Sequence, residues 1–326
     1  MSYTESLVAC RTENATQLSA SMKNRGSLLM SGWRKRAESM AKPKTIASKD
    51  LKAFLNTSKR ETRLMGAVER HVLSKPFDDR DMSYIHPSDI IKEDWCALAQ
   101  YHAVTGNYTE TRDKTTARLA SIFAEGHIIH AKWQDWFKEM GVLYGMWGDS
   151  TGTSWAVSKD IHKSVQYKEV PLRSDKHMMR GHADGWIKGL GDDCLIEIKS
   201  IGSGTLRFEA PAILQQANGD IEQAWKQVKT PFRMHQLQGQ VYLHLCHLMV
   251  EEGLLEVAPK EIVFIYELKA NQDYKEFVVA YNPEFTKEIF DKALDIAWAA
   301  ENKRPPMCSI DPAKGCKRCE PFQEVK

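Results

Sequence analysis

Residues 181–200, GHADGWIKGLGDDCLIEIKS, place an acidic residue ahead of a turn and then Glu-Ile-Lys in an apolar run. Side chains alternate along a strand, so Glu197 and Lys199 emerge together while Ile196 and Ile198 face a core. Asp184, on the preceding strand, pairs across the short turn GLGDD and brings three charged groups together. Charged residues form strands poorly and are costly to bury, so an ion is expected to compensate them. Two carboxylates and a strand carbonyl suit hard, octahedral Mg²⁺ or Mn²⁺. Such an ion polarises a phosphoryl oxygen and lowers the pKa of a bound water. Lys199 then orients the water or stabilises charge on a phosphorane-like transition state. The competing reading is an exposed Glu–Lys pair on a surface hairpin, worth at most about 1 kcal/mol.

Other residues have chemical capacity of their own. An imidazole is a plausible third ligand and favours Mn²⁺ over Mg²⁺; His127 and His130 in EGHIIH are both candidates. Gln238 and Tyr242 in QGQVY are four apart, share a helix face, and suit holding a phosphate or Lys199 itself. His235 lies on the same face, as a candidate DNA contact only. Three of the seven cysteines crowd into CSIDPAKGCKRC, as Cys308, Cys316 and Cys319. Their C-x₂-C chelate spacing, with Gly315 allowing a tight turn, suggests a thiolate metal site that needs a fourth ligand. Cys194 and Cys246 read as single core cysteines, and Cys10 has no assigned role.

The elements that must position these groups follow from the pattern. Residues 1–45 are polar and basic, as in a loose arm, and a helix follows from Ser48. HPSDIIKEDWCALAQYHAVTG reads as a loop and then a helix capped near Ser88 that carries Cys96. TTARLASIFAEGHIIHAKWQDWFKEMG is a long amphipathic helix ending at Gly141. SVQYKEVPL, RGHADGWIKG and CLIEIKS read as strands. A helix after Pro231, the strands EIVFIYEL and KEFVVAYN, and a closing helix complete the order α, βββ, α, ββ, α. That order describes an α/β (α+β) fold, a mixed central sheet flanked by helices.

At 326 residues the chain is long enough for a large core, and its composition is that of an ordinary soluble globular protein. No apolar run is long enough to cross a bilayer, and the N-terminus lacks the apolar core of a secretory signal. A cytoplasmic location is expected, without disulfides. Residues 1–60 hold 12 Lys/Arg against 4 Asp/Glu, whereas the remainder hold 33 against 39. A basic arm on an acidic body fits a polyanion partner, though a solvated flexible tail reads equally well.

The pattern D…ExK after Gly181-x-x-Asp184-Gly185 resembles the PD-(D/E)XK nuclease superfamily, and RGHADGWI followed by LIEIKS its RecB-like branch. Gly126 with His130, and Gln238 with Tyr242, match further features of that branch in the family's order. The resemblance covers roughly residues 85–322. It implies a restriction-endonuclease-like core in a nuclease domain over 85–326, with residues 1–84 a basic arm and helical extension. The activity implied is metal-dependent hydrolysis of DNA phosphodiester bonds by metal-activated water, in recombination, repair or phage DNA processing. Single-stranded DNA or DNA ends are the implied substrates, with exonuclease action ahead of endonuclease. Asp184, Glu197 and His130 would hold the ion, His130 being favoured over His127 by its position after the glycine. Lys199, Gln238 and Tyr242 would assist.

HPSDIIKEDWCALAQY is similar to the Ser-then-Cys segment opening many RecB-like nucleases with iron–sulfur clusters. The match implies that Cys96 joins Cys308, Cys316 and Cys319 around a 4Fe–4S cluster clasping the two ends of the fold. The family's C-x₂-C precedes its last cysteine, whereas here the long gap comes first, as C-x₇-C-x₂-C. That departure leaves zinc open as the alternative. A recombination or annealing protein is a candidate partner, and a bacterial cell, with phage encoding open, the expected setting. A non-cutting DNA-binding accessory protein and an RNA nuclease are the other readings.

Overall fold

The computed structural model describes residues 64–75, 80–107, 116–161, 165–311 and 315–323. Most of residues 1–84, and Cys10, lie outside the described residues. The chain divides into two compact units, Met1–Ala67 and Val68–Lys326. The second holds the sheets, the charged cluster and the C-terminal cysteines.

Helix α1 (Met65–Ser74) buries no side chain. Two short helices follow, α2 (Pro87–Ile90) and α3 (Ala97–Val104), and then the long α4 (Ala117–Glu139). Thr116 caps α4 by accepting the Leu119 N–H, satisfying one of the donors a helix start leaves without a partner. The helix ends just before Gly141, as the sequence predicts.

The strands are β1 (Leu143–Asp149), β2 (Gly152–Val157), β3 (Gln166–Tyr167), β4 (Val170–Ser174), β5 (Met179–Ala183), β6 (Gly185–Ile187), β7 (Cys194–Ile201), β8 (Glu261–Leu268) and β9 (Tyr274–Ala280). Seven form one sheet in the order β2-β1-β6-β7-β8-β9, with β3 also paired to β1, while β4 and β5 form a separate hairpin. β7 and β8 run parallel and the other neighbours antiparallel. The crossover between β7 and β8 carries α5 (Ser203–Glu209), α6 (Pro211–Gln216), α7 (Ile221–Gln227) and α8 (Arg233–Glu251). Helix α9 (Lys287–Glu301) packs against α3, and α10 (Glu320–Gln323) follows the cysteines.

Helices cover both faces of this sheet. Ile196 and Ile198 bury against Ile129 of α4, Leu143 and Trp147, with Trp133 and Phe137 beside them. Leu195 and Ile201 point the other way, into a core shared with Val241 and Leu245 of α8. Each such aliphatic side chain contributes about 1.5–3 kcal/mol on full burial. The architecture is mixed α/β, a central mixed sheet flanked by helices. Among the described residues no helix is long and apolar enough to cross a membrane.

Three departures from the sequence pattern matter. RGHADGWIKG is two strands in two different sheets, broken at Asp184. LYGMWGDSTGTSWAV, unread as sheet, supplies β1 and β2. Ser88 lies inside α2 behind Pro87, and Cys96 itself is the N-cap of α3; proline fits the first helical turn because its missing N–H is not needed there.

Candidate functional site

Asp184 occupies the point where the chain leaves the β4–β5 hairpin and enters the main sheet. Gly185 pairs with Ile196, so the next step of that register sets Asp184 against Glu197. The Asp184 carboxylate is fixed at both oxygens: Oδ2 accepts the Ile198 N–H at 2.6 Å and Oδ1 lies 3.0 Å from His130 Nδ1.

His130 reaches it because α4 runs close to β7. A Cβ on Gly126, one turn earlier, would come 3.4 Å from Ser200 Oγ. One turn after His130, Gln134 donates to the Asp184 carbonyl at 2.8 Å. His127 is exposed on the same helix.

Glu197 and Lys199 share a face of β7, as the alternation predicts, and that face looks toward α8. Lys199 Nζ donates to Glu197 Oε1 at 2.7 Å and to Gln238 Oε1 at 3.0 Å. Gln238 Nε2 in turn donates to the Tyr242 hydroxyl at 2.8 Å, inside the core. The lysine is held from two elements at once.

The second oxygen of Glu197 is different. Oε2 is buried and has no hydrogen-bond partner among the described residues. Asp184 and Glu197 are only 7% and 4% exposed, and carboxylates are almost never so buried without compensation. Burial, aided by Asp184, pushes the Glu197 carboxyl up to about 7 against the downward pull of Lys199 and His130. Burial would lower the His130 pKa, but its hydrogen bond to Asp184 and the charges of Asp184 and Glu197 leave it raised. Asp184, Glu197 and His130 thus stand together with an excess of carboxylate and one buried, unpartnered oxygen.

The sequence reading missed two neighbours. Glu169, between β3 and β4, has its pKa raised by burial and by Asp184 and lowered by His130 and a hydrogen bond from Gln134. Its backbone takes a left-handed φ of 62°, and its carbonyl accepts the Met146 N–H at 2.9 Å. A Cβ at Gly145 would stand 2.8 Å from that carbonyl oxygen, so this approach requires glycine. An acidic residue between two short strand segments in QYKEVPL was the only signal for Glu169; Gln134, four residues after His130, was findable by helical spacing. Gln134 and Glu169 also line an adjoining cleft of about 640 Å³ with Lys138, Tyr167, Lys168 and His182.

His235, read as a candidate DNA contact, is turned inward. Its Nδ1 lies 2.5 Å from the Tyr266 hydroxyl, which accepts the Phe232 N–H, and burial lowers its pKa to about 3. It braces α8 against β8.

Elsewhere, Cys96, Cys308, Cys316 and Cys319 come together, their sulfurs all within 4.8 Å of one another. Cys194 and Cys246 are buried singly. Ser309 Oγ accepts the Ala97 N–H at 3.0 Å and donates to the Trp95 carbonyl at 3.1 Å, on either side of Cys96. Arg318 grips Asp94 through both carboxylate oxygens, and the Phe322 ring stacks on His102 of α3 at 4.1 Å. The C-terminal segment is thereby fastened to α3.

No family model and no curated protein matches the chain. Solved structures with a similar course include SSO0001, at 13% identity and TM-score 0.33, covering 72% of this chain and 85% of that one. Another is an alkaline exonuclease, LHK-Exo from Laribacter hongkongensis, at 12% identity and TM-score 0.36, covering 69% and 91%. Its complex with dAMP matches at 11% identity and TM-score 0.37 over the same shares, 69% and 91%. These likenesses are slight, and the site itself carries the functional reading.

Proposed function

We propose that the protein is a metal-dependent deoxyribonuclease of the PD-(D/E)XK, RecB-like type, its nuclease domain spanning residues 85–326 and acting on DNA from an end. The observation that carries this is the pair of buried carboxylates, Asp184 and Glu197, beside Lys199, which bonds Glu197 Oε1 while Glu197 Oε2 stays buried and unpartnered. A Mg²⁺ or Mn²⁺ ion held by Asp184, Glu197 and His130 would supply Lewis acidity toward a phosphate and acidify a water.

The chain's own groups do the rest. The Lys199 ammonium offers charge to a phosphoryl oxygen as it gains negative charge, and an ammonium held in place before the reaction needs no reorganisation during it. Gln238 and Tyr242 are positioning residues that fix the ammonium from the α8 side. The Ile198 N–H and His130 hold the Asp184 carboxylate in one orientation, so the ion is met by preset donors. Lys138 and Lys168 in the adjoining cleft suit the phosphates of a strand leading to the site. The cysteine site holds a metal that clasps α3 to the C-terminal segment.

The test is digestion of end-labelled linear against circular single-stranded DNA with Mg²⁺ or Mn²⁺. The linear form should disappear, the circle should survive, and Lys199→Ala should spare both. Cutting of circles would make the enzyme an endonuclease. Failure to cut any nucleic acid would leave a binding protein on a nuclease-like site.

A further inference from the structure

The sequence resemblance implies a 4Fe–4S cluster on the four cysteines, and the sulfur spacing does not fit one. In such a cluster each thiolate binds a different iron, at its own corner of a cube. The thiolate bonds radiate outward from the corners of the cube, so the sulfurs stand farther apart than the irons, on the order of 6 Å. Four thiolates on one tetrahedral ion, with metal–sulfur bonds of about 2.3 Å, stand only about 3.8 Å apart. Here all four sulfurs lie within 4.8 Å of one another, with Cys96 and Cys308 at 3.7 Å.

We infer that this cage takes a single tetrahedral ion, zinc, in place of a four-iron cluster. Its surroundings hold it at that size. Ser309 is bonded to the backbone on both sides of Cys96, which fixes Cys308 relative to Cys96. Arg318, between Cys316 and Cys319, is tied to Asp94 two residues before Cys96. Widening the cage to cube dimensions would break these ties and displace Leu98, Ile310 and Phe322, which pack around the cysteines. An all-thiolate zinc site is closed and redox-inert, so its work is structural.

The inference rests on reading the cysteines as a metal site and is independent of the nuclease assignment. The full chain is produced with both iron and zinc supplied, purified without air, and analysed for metals by mass spectrometry. About one zinc per chain and colourless protein are expected. Exchange into Co²⁺ should give the visible absorption of tetrahedral thiolate cobalt. Asp184→Asn should retain the zinc, and Cys96→Ser should lose it; the wild-type count and cobalt spectrum stand even where Cys96→Ser fails to fold. Brown protein absorbing near roughly 400 nm with about four irons per chain would overturn the inference, and so would protein holding neither metal. DNA cutting by the same samples separates the two readings: iron-loaded protein that cuts sinks only the zinc, and zinc-loaded protein that does not cut sinks only the nuclease.

Discussion

Glu197 and His130 both bind a proton more tightly in the folded chain than their ordinary values allow, Glu197 up to about 7. A raised folded pKa contributes stability that is full below the unfolded pKa and is lost as pH rises through the folded one. The metal-free protein should therefore lose thermal stability between about pH 5 and pH 8. Glu197→Gln, which cannot ionise, should flatten that decline and abolish Mn²⁺ binding in calorimetry. A melting temperature that climbs over the same window would remove the buried-carboxylate account. For Lys199→Ala the fold should survive while cleavage falls about 10²–10³-fold, the usual loss when one preset charge-stabilising donor is removed. Residual cutting above a tenth of the wild-type rate would place the chemistry elsewhere. The Glu-x-Lys pair was readable because a strand's period of two needs only neighbouring residues. Glu169 was not, because its charge arrives through a left-handed residue and a contact with β1.

Where whole elements are concerned, close approach governs the site. Gly145→Ala would press a methyl against the Glu169 carbonyl, a backbone atom with little room to yield. Overpacking of this kind costs about 1–3 kcal/mol, and the melting temperature should fall by several degrees while metal-assisted cutting weakens as Glu169 shifts. An unchanged melting temperature would show that β1 and Glu169 are not tightly joined. β7, β8, α4 and α8 were legible because each is long and strongly periodic. β1 and β2 were hidden by Gly145, Gly148 and Gly152 and by small polar residues that blur any alternation. The helices α5 to α7 are cut short by Ala210-Pro211 and Asn218-Gly219, too brief for a helical period to register.

Across the whole molecule, the cysteine cage ties positions 212 residues apart. Restricting so long a loop in the unfolded chain stabilises the fold by roughly 4 kcal/mol or more in the chain-entropy view. Stripping the cage with a strong chelator should lower the melting temperature by several degrees, and re-adding Mg²⁺ alone should not restore it. Full restoration by Mg²⁺ would assign the stabilisation to the carboxylate site. That three cysteines crowd together was legible from their spacing, but how near the four sulfurs are held was not, because it depends on the folded course of the chain. The cage also sets an order of events during synthesis. A ribosome delivers Asp184, Glu197 and Lys199 well before Cys308, Cys316 and Cys319, so the growing chain carries its charged cluster while Cys96 still waits for its partners. Closure must wait for that later stretch, and a chain released before it would leave the ribosome unfastened and open to proteases.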